Sequence, residues 1–152
     1  MTPPPDRRAV LSGGAGLLGV LLVRPAAARA PREATAAAIR RFAGEAAVRP
    51  GRVALDMPPL VENGNSVPLA ITVESPMTEA DHVRRIAVFN DKNPQPNVVT
   101  LHLGPRAGRA AVATRIRLSD SQTVTAVAEM SDGSYWSATA DAIVTLAACV
   151  EG

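Results

Sequence analysis

The chain has 152 residues, which suffices for one domain with a modest core. It is 47% hydrophobic but only 3% aromatic, with alanine and valine supplying most of the apolar character. Such a composition suits closely packed strands better than a deep ligand pocket. The formal net charge of +2 comes from the first thirty residues, where Arg7, Arg8, Arg24 and Arg29 face a single acid, Asp6. The rest of the chain is slightly acidic, which removes the electrostatic case for a nucleic-acid partner.

Residues 1–30 read as an export signal. Paired arginines, Arg7-Arg8, precede the apolar run Ala9 to Val23, which contains four glycines and a serine. That run is too short and too mildly hydrophobic for a secure membrane span. Ala28-Arg29-Ala30 offers small residues to a signal peptidase, so cleavage is expected after Ala30. The twin arginine favours the Tat route, which carries folded cargo, and predicts a periplasmic protein without a stable membrane anchor.

An alanine-rich stretch follows, with Ile39, Phe42 and Ala46 on one helical face. It predicts a short N-terminal helix over Arg32 to Val48, ended by Pro50-Gly51, within a segment spanning 31–50. From residue 51 to residue 146 the pattern is that of strands. Arg52 to Met57, Val67 to Val73, Val83 to Phe89, Val98 to Leu103, Gly108 to Leu118 and Thr123 to Met130 each alternate or carry β-branched runs. Asp132-Gly133 marks a hairpin turn. Tyr135 to Ala140 and Ala142 to Leu146 complete the set, as two strands or as one with a break at Asp141. Short strands with turn signals between them, and no helices to carry parallel crossovers, predict an all-β antiparallel β-sandwich. Residues 147–152 form an exposed C-terminal arm beyond it.

Few residues suggest chemistry. His82 and His102 sit in strand patterns and read as structural or surface groups. Glu74, Glu79, Asp81 and Asp91 are scattered around turns. The glycine spacing has no phosphate-binding fingerprint. Only three residues follow Cys149, which leaves no room for the histidine and methionine that a blue-copper site places after its cysteine. No catalytic residue, resident cofactor or metal is assigned. Cys149 is the single cysteine and cannot form an internal disulfide. Three extended residues after Leu146 reach roughly 10 Å, which puts its sulfur on a short tail past the sandwich. By its residues alone Cys149 is either an incidental terminal thiol or a tethered attachment point.

Several segments together carry a resemblance. Glu62-Asn63-Gly64-Asn65-Ser66-Val67-Pro68, Ser75-Pro76-Met77-Thr78, Asn93-Pro94-Gln95-Pro96, Thr114-Arg115-Ile116-Arg117-Leu118 and Ala128-Glu129-Met130-Ser131-Asp132-Gly133-Ser134 occur in an order and spacing similar to the SoxY family. That family belongs to the bacterial thiosulfate-oxidising Sox system. The resemblance runs from about Arg32 to the end of the chain. It implies that the sandwich is immunoglobulin-like, and that the protein is a periplasmic carrier rather than an enzyme, paired as a heterodimer with a second sandwich subunit, SoxZ. It implies Cys149 as the covalent carrier of thiosulfate-derived intermediates, the sulfur adduct standing in place of any permanent cofactor. It also implies three visiting partners: a c-type haem enzyme that conjugates thiosulfate, a manganese-dependent hydrolase that releases sulfate, and a sulfur dehydrogenase.

The arm departs from the family's Gly-Gly-Cys-Gly-Gly pattern and reads Ala147-Ala148-Cys149-Val150-Glu151-Gly152. Alanine restricts φ where glycine does not, and Val150 adds β-branched bulk. Glu151 sets negative charge near the sulfur, which disfavours the thiolate. A second reading therefore stands beside the carrier: a SoxY-derived binding or assembly module that keeps the sandwich and has lost or changed the carrier chemistry.

Overall fold

A computed structural model describes residues 31–148. The expected signal segment 1–30 and the arm residues Cys149 to Gly152 lie outside the described residues. One helix and nine strands occupy the described part: α1 (Pro31–Ala43), β1 (Val48–Pro50), β2 (Val53–Asp56), β3 (Leu60–Val61), β4 (Val67–Val73), β5 (Val83–Asn90), β6 (Asn97–His102), β7 (Ala111–Ile116), β8 (Gln122–Met130) and β9 (Tyr135–Val144). A single 3-10 turn, Pro105–Ala107, leads into β7.

The strands form the sandwich that the sequence pattern predicts, in the immunoglobulin-like form that the resemblance implies. The larger sheet runs β1-β9-β8-β5-β6, with β3 also paired to β9, and the smaller runs β2-β4-β7. Antiparallel ladders join β9, β8, β5 and β6 in turn. The alternation in sequence explains the assembly. Val67, Leu69, Ile71 and Val73 of β4 point inward and are buried, while Pro68 and Thr72 between them are exposed. They meet Ile86 and Val88 of β5 and Val124, Ala126, Ala128 and Met130 of β8.

The opposite face of the large sheet is covered as well. Ala87 and Phe89 of β5, Val127 of β8 and Tyr135 of β9 pack under Ala38, Ile39, Phe42 and Ala43 of α1. Phe42 meets Phe89 and Tyr135 edge to face, at centroid distances of 5.9 and 5.8 Å. The Arg85 guanidinium, ion-paired with Glu129, lies 4.5 Å over the Phe42 ring. Helix, large sheet and small sheet thus make three layers.

Three local features differ from the sequence expectation. The helix ends at Ala43, well before Pro50. Gly44 takes φ 63° and its N–H bonds the Arg40 carbonyl at 2.8 Å, closing the helix with the left-handed residue that glycine tolerates best. The freed segment becomes β1, which pairs in parallel with the start of β9. β3 pairs in parallel with the end of the same strand. Both pairings are too short to leave a repeating pattern. Strand β9 also runs unbroken through Asp141, whose carboxylate accepts the Thr123 hydroxyl at 2.6 Å on the solvent face.

The chain changes sheets between β1 and β2. There Arg52 holds φ 56°, and its guanidinium donates twice to the Glu74 carbonyl, at 2.8 and 3.2 Å. Those bonds and the Glu74 N–H to Arg52 O bond (2.7 Å) hold a conformation that a non-glycine residue adopts only under constraint.

Two outcomes are expected. Phe42→Ala removes both edge-to-face contacts and the cation–π contact, and should lower unfolding free energy by about 2–3 kcal/mol in urea titrations. At the β8–β9 hairpin, Asp132 accepts the Ser134 hydroxyl (2.6 Å) and N–H (2.8 Å), and these bonds, helped by Arg52, hold its carboxyl below the usual range. A depressed folded-state pKa adds stability above the unfolded value of about 3.9 and loses it as pH falls further. Asp132→Asn should therefore shallow the fall in melting temperature below about pH 4 and leave it unchanged in shape above pH 6.

Candidate functional site

The root of the C-terminal arm is the place where three of the five sequence motifs converge. Past Ala142, which stands opposite Gln122, the chain no longer pairs with β8. Other groups replace that ladder. The Ser121 hydroxyl accepts the Val144 N–H at 2.8 Å. Thr145 donates its N–H to the Val61 carbonyl at 2.9 Å and its hydroxyl to the Glu62 carbonyl at 3.2 Å.

Gly64 then joins two segments that are remote in sequence. Its N–H donates to the Leu146 carbonyl and its carbonyl accepts the Leu118 N–H, both at 2.8 Å. The Leu118 carbonyl in turn accepts the Ala148 N–H at 3.1 Å. A Cβ on residue 64 would stand 2.3 Å from the Leu118 oxygen and 2.9 Å from the Ala148 nitrogen. Both are backbone atoms with little freedom to retreat, so only glycine fits this approach. Asn63 supports the turn by accepting the Asn65 N–H at 2.9 Å.

A polar cluster braces Leu118 from the other side. The Asn93 side chain donates to the Arg117 carbonyl (2.8 Å) and accepts from the Ser119 N–H (3.0 Å) and the Gln122 amide (3.0 Å). The buried Gln122 also accepts the Lys92 N–H at 2.9 Å. Lys92 and Asp120 pair at 3.0 Å on the surface, and the lysine, with the Ser121 N–H, holds the Asp120 carboxyl below its usual range.

This geometry refines the sequence reading of the tail. Leu146 and Ala147 are exposed, but Ala148 is 6% exposed and held by a backbone bond. The arm is therefore anchored down to the residue before Cys149, two residues further than the sequence reading placed its root. Cys149 itself lies outside the described residues. Of the motifs, Glu62 to Pro68, Asn93 to Pro96 and Thr114 to Leu118 supply the arm's root. The other two lie at the opposite end of the sandwich, where His82 and Ser131 exchange bonds and the Met77 sulfur accepts the Val83 N–H at 3.4 Å. Gln122 and Ser121 escaped the sequence reading, because a polar residue at a strand start carries no periodic signal.

Elsewhere among the described residues the two histidines stand apart from any chemical constellation. His82 Nδ1 lies 3.0 Å from the Thr78 carbonyl, and His102 is exposed at the end of β6. Among the described residues no three His, Cys, Asp or Glu side chains are grouped to hold a metal ion. Nor is any described helix long and apolar enough to cross a membrane.

Gly64→Ala should open the arm's root. The expected outcome is a loss of about 1–3 kcal/mol of stability, together with amide exchange at Ala148 at least about tenfold faster, read by hydrogen-exchange mass spectrometry.

Comparison with known proteins places this architecture. The sulfur carrier protein SoxY from Chlorobium limicola f thiosulfatophilum superposes with a TM-score of 0.62 at 22% identity, over 73% of this chain and 96% of that one. The superoxide reductase (neelaredoxin) of Ignicoccus hospitalis gives 0.56 at 16% identity, over 62% of this chain and 80% of that one. A putative superoxide reductase from Thermotoga maritima gives 0.53 at 24% identity, over 68% and 89%. At such identities these likenesses establish the shared sandwich. No curated protein matches the chain. The family described as sulfur oxidation protein SoxY matches residues 39–149, most of the chain from within α1 through the cysteine. By that match, which takes in every segment around the arm's root, the chain belongs to the SoxY family.

Proposed function

We propose that this protein is an exported carrier of sulfur-oxidation intermediates and that Cys149 is the covalent attachment point. The observation that carries the reading is the reach of the family match to position 149, one residue past an arm root that the fold holds in place. The twin-arginine segment supports a periplasmic site of action, reached by the Tat route.

The chemistry asked of the chain is small. The Cys149 thiol gives up its proton, its sulfur bonds the outer sulfur of thiosulfate, and two electrons pass to a c-type haem enzyme. Water then cleaves the bond to the sulfonate sulfur within a manganese-dependent hydrolase, releasing sulfate and leaving a persulfide on Cys149. A sulfur dehydrogenase acts on what remains. The sandwich supplies none of these reactants; it presents the sulfur and recognises the partners. A second, SoxZ-like sandwich completes the heterodimer.

The arm's composition favours a second reading. Ala147, Ala148 and Val150 replace flexible glycines, and Ala148 is buried at the root. An assembly module that has shed carrier chemistry would show the same features. Alkylation of the native protein separates the two: a carrier reacts rapidly at Cys149, and an assembly module reacts sluggishly.

The direct test is intact-protein mass spectrometry after incubation with thiosulfate and the haem enzyme. A mass increase that Cys149→Ala abolishes is expected; no increase in the unaltered protein would remove the carrier reading.

A further inference from the structure

Strand β7 is an edge of the small sheet, with β4 as its one strand partner among the described residues. The register shows where its main-chain groups point. Pro68 of β4 stands opposite Arg115, and proline has no N–H to give, so that pair is of the non-bonded kind. The ladder alternates from there. In the same phase, the Val73 N–H bonds the Ala110 carbonyl and the Leu118 N–H bonds the Gly64 carbonyl. Val112 and Thr114 therefore bond β4, while Ala111, Ala113 and Arg115 turn their N–H and C=O groups away from it. Nothing blunts this edge. β7 holds no proline, its pairing has no bulge, and Ala111 and Ala113 are small and exposed.

The same edge is strongly charged. No Asp or Glu occurs between Asp91 and Asp120, and that stretch carries Arg106, Arg109, Arg115 and Arg117. All four arginines are exposed, and none pairs with a carboxylate among the described residues. Lys92, at the start of the stretch, is already paired with Asp120. A groove of about 470 Å³ opens beside β7, between Arg115 and Ile116 on one side and Asn97 and Val98 of β6 on the other.

We propose that the open edge of β7 takes up an extended acidic segment of another protein as an added strand. Charge selects this occupant. A second copy of the chain, paired antiparallel about Ala113, would set Arg109 of one copy opposite Arg117 of the other, and like charges facing across strands are destabilising. An acidic strand meets the same arginines with opposite sign, and its carboxylates suit the forked donors of Arg115 and Arg117. Main-chain bonds at Ala111, Ala113 and Arg115 supply affinity, and the arginines choose the partner. The groove leaves free the space that a neighbouring strand occupies, about 4.8 Å from β7. The inference is independent of the carrier reading, because no atom of the C-terminal arm takes part.

The test uses the full chain and a fluorescein-labelled peptide of sequence Thr-Glu-Val-Glu-Val-Glu-Val-Thr. Bound peptide should slow amide exchange at Ala111, Ala113 and Arg115 by about tenfold or more, read residue by residue by NMR, and leave Val112 and Thr114 unchanged. The same peptide with lysine for each glutamate should bind at least about tenfold more weakly. Ala113→Pro removes an edge donor and no bond to β4, and should weaken binding of the acidic peptide about tenfold at an unchanged melting temperature. The double variant Arg115→Gln, Arg117→Gln should weaken it by a similar factor and flatten its salt dependence. Binding without protection of the three amides would be ionic attraction alone and overturns the added strand. Equal affinity for the two peptides, or no binding of the acidic one, overturns it as well. Protection of the same amides by raising the chain's own concentration, without peptide, would make the occupant a second copy and overturns the acidic partner.

Discussion

Strands β5 and β8 are buried on both faces, and the rest of the molecule is arranged around that constraint. Their inner residues meet the small sheet, and their outer residues meet α1. Two-sided burial demands small or slender side chains on both sides, which is why Ala87, Ala126, Val127 and Ala128 occupy the centre. The near absence of aromatic residues follows from the same closeness. Phe42, Phe89 and Tyr135 occur together where the helix needs bulk to seat against the sheet. Once these central strands are sealed, β9 is positioned as their neighbour, and its far end delivers the arm.

At that end the decisive contact has no side chain. Gly64 lets three backbone segments approach within hydrogen-bonding distance, and the polar cluster of Asn93, Ser119 and Gln122 keeps Leu118 in place to receive Ala148. Stability and presentation are therefore coupled: the bonds that close the end of the sandwich also set the point from which Cys149 departs. The shared sandwich of the superoxide reductases emphasises that such a fold does not fix an activity.

Much of this was legible in the amino-acid sequence. Alternation in Val67 to Val73 and Val124 to Met130 reported inward and outward faces directly, because one side of each strand meets only the core. The solitary cysteine and the motif around Asn63-Gly64-Asn65 were visible as singular features. The end of the helix was misjudged because Pro50 is a stronger local signal than Gly44, whose role depends on a left-handed conformation. Strands β1 and β3 were missed because segments of two or three residues have no period to detect.

The sequence alone determined the strand faces, the sandwich class and the presence of one thiol near the chain's final residues, since these depend on residue type and local spacing. Only the tertiary structure decided that Gly64, Leu118 and Ala148 meet, that the arm is held down to residue 148, and that Leu60 pairs with Ile143 beside its root. Those are backbone and surface encounters between segments distant along the chain. Hydrogen bonds between main-chain atoms are available to every residue type, so no side-chain pattern announces which of them will form.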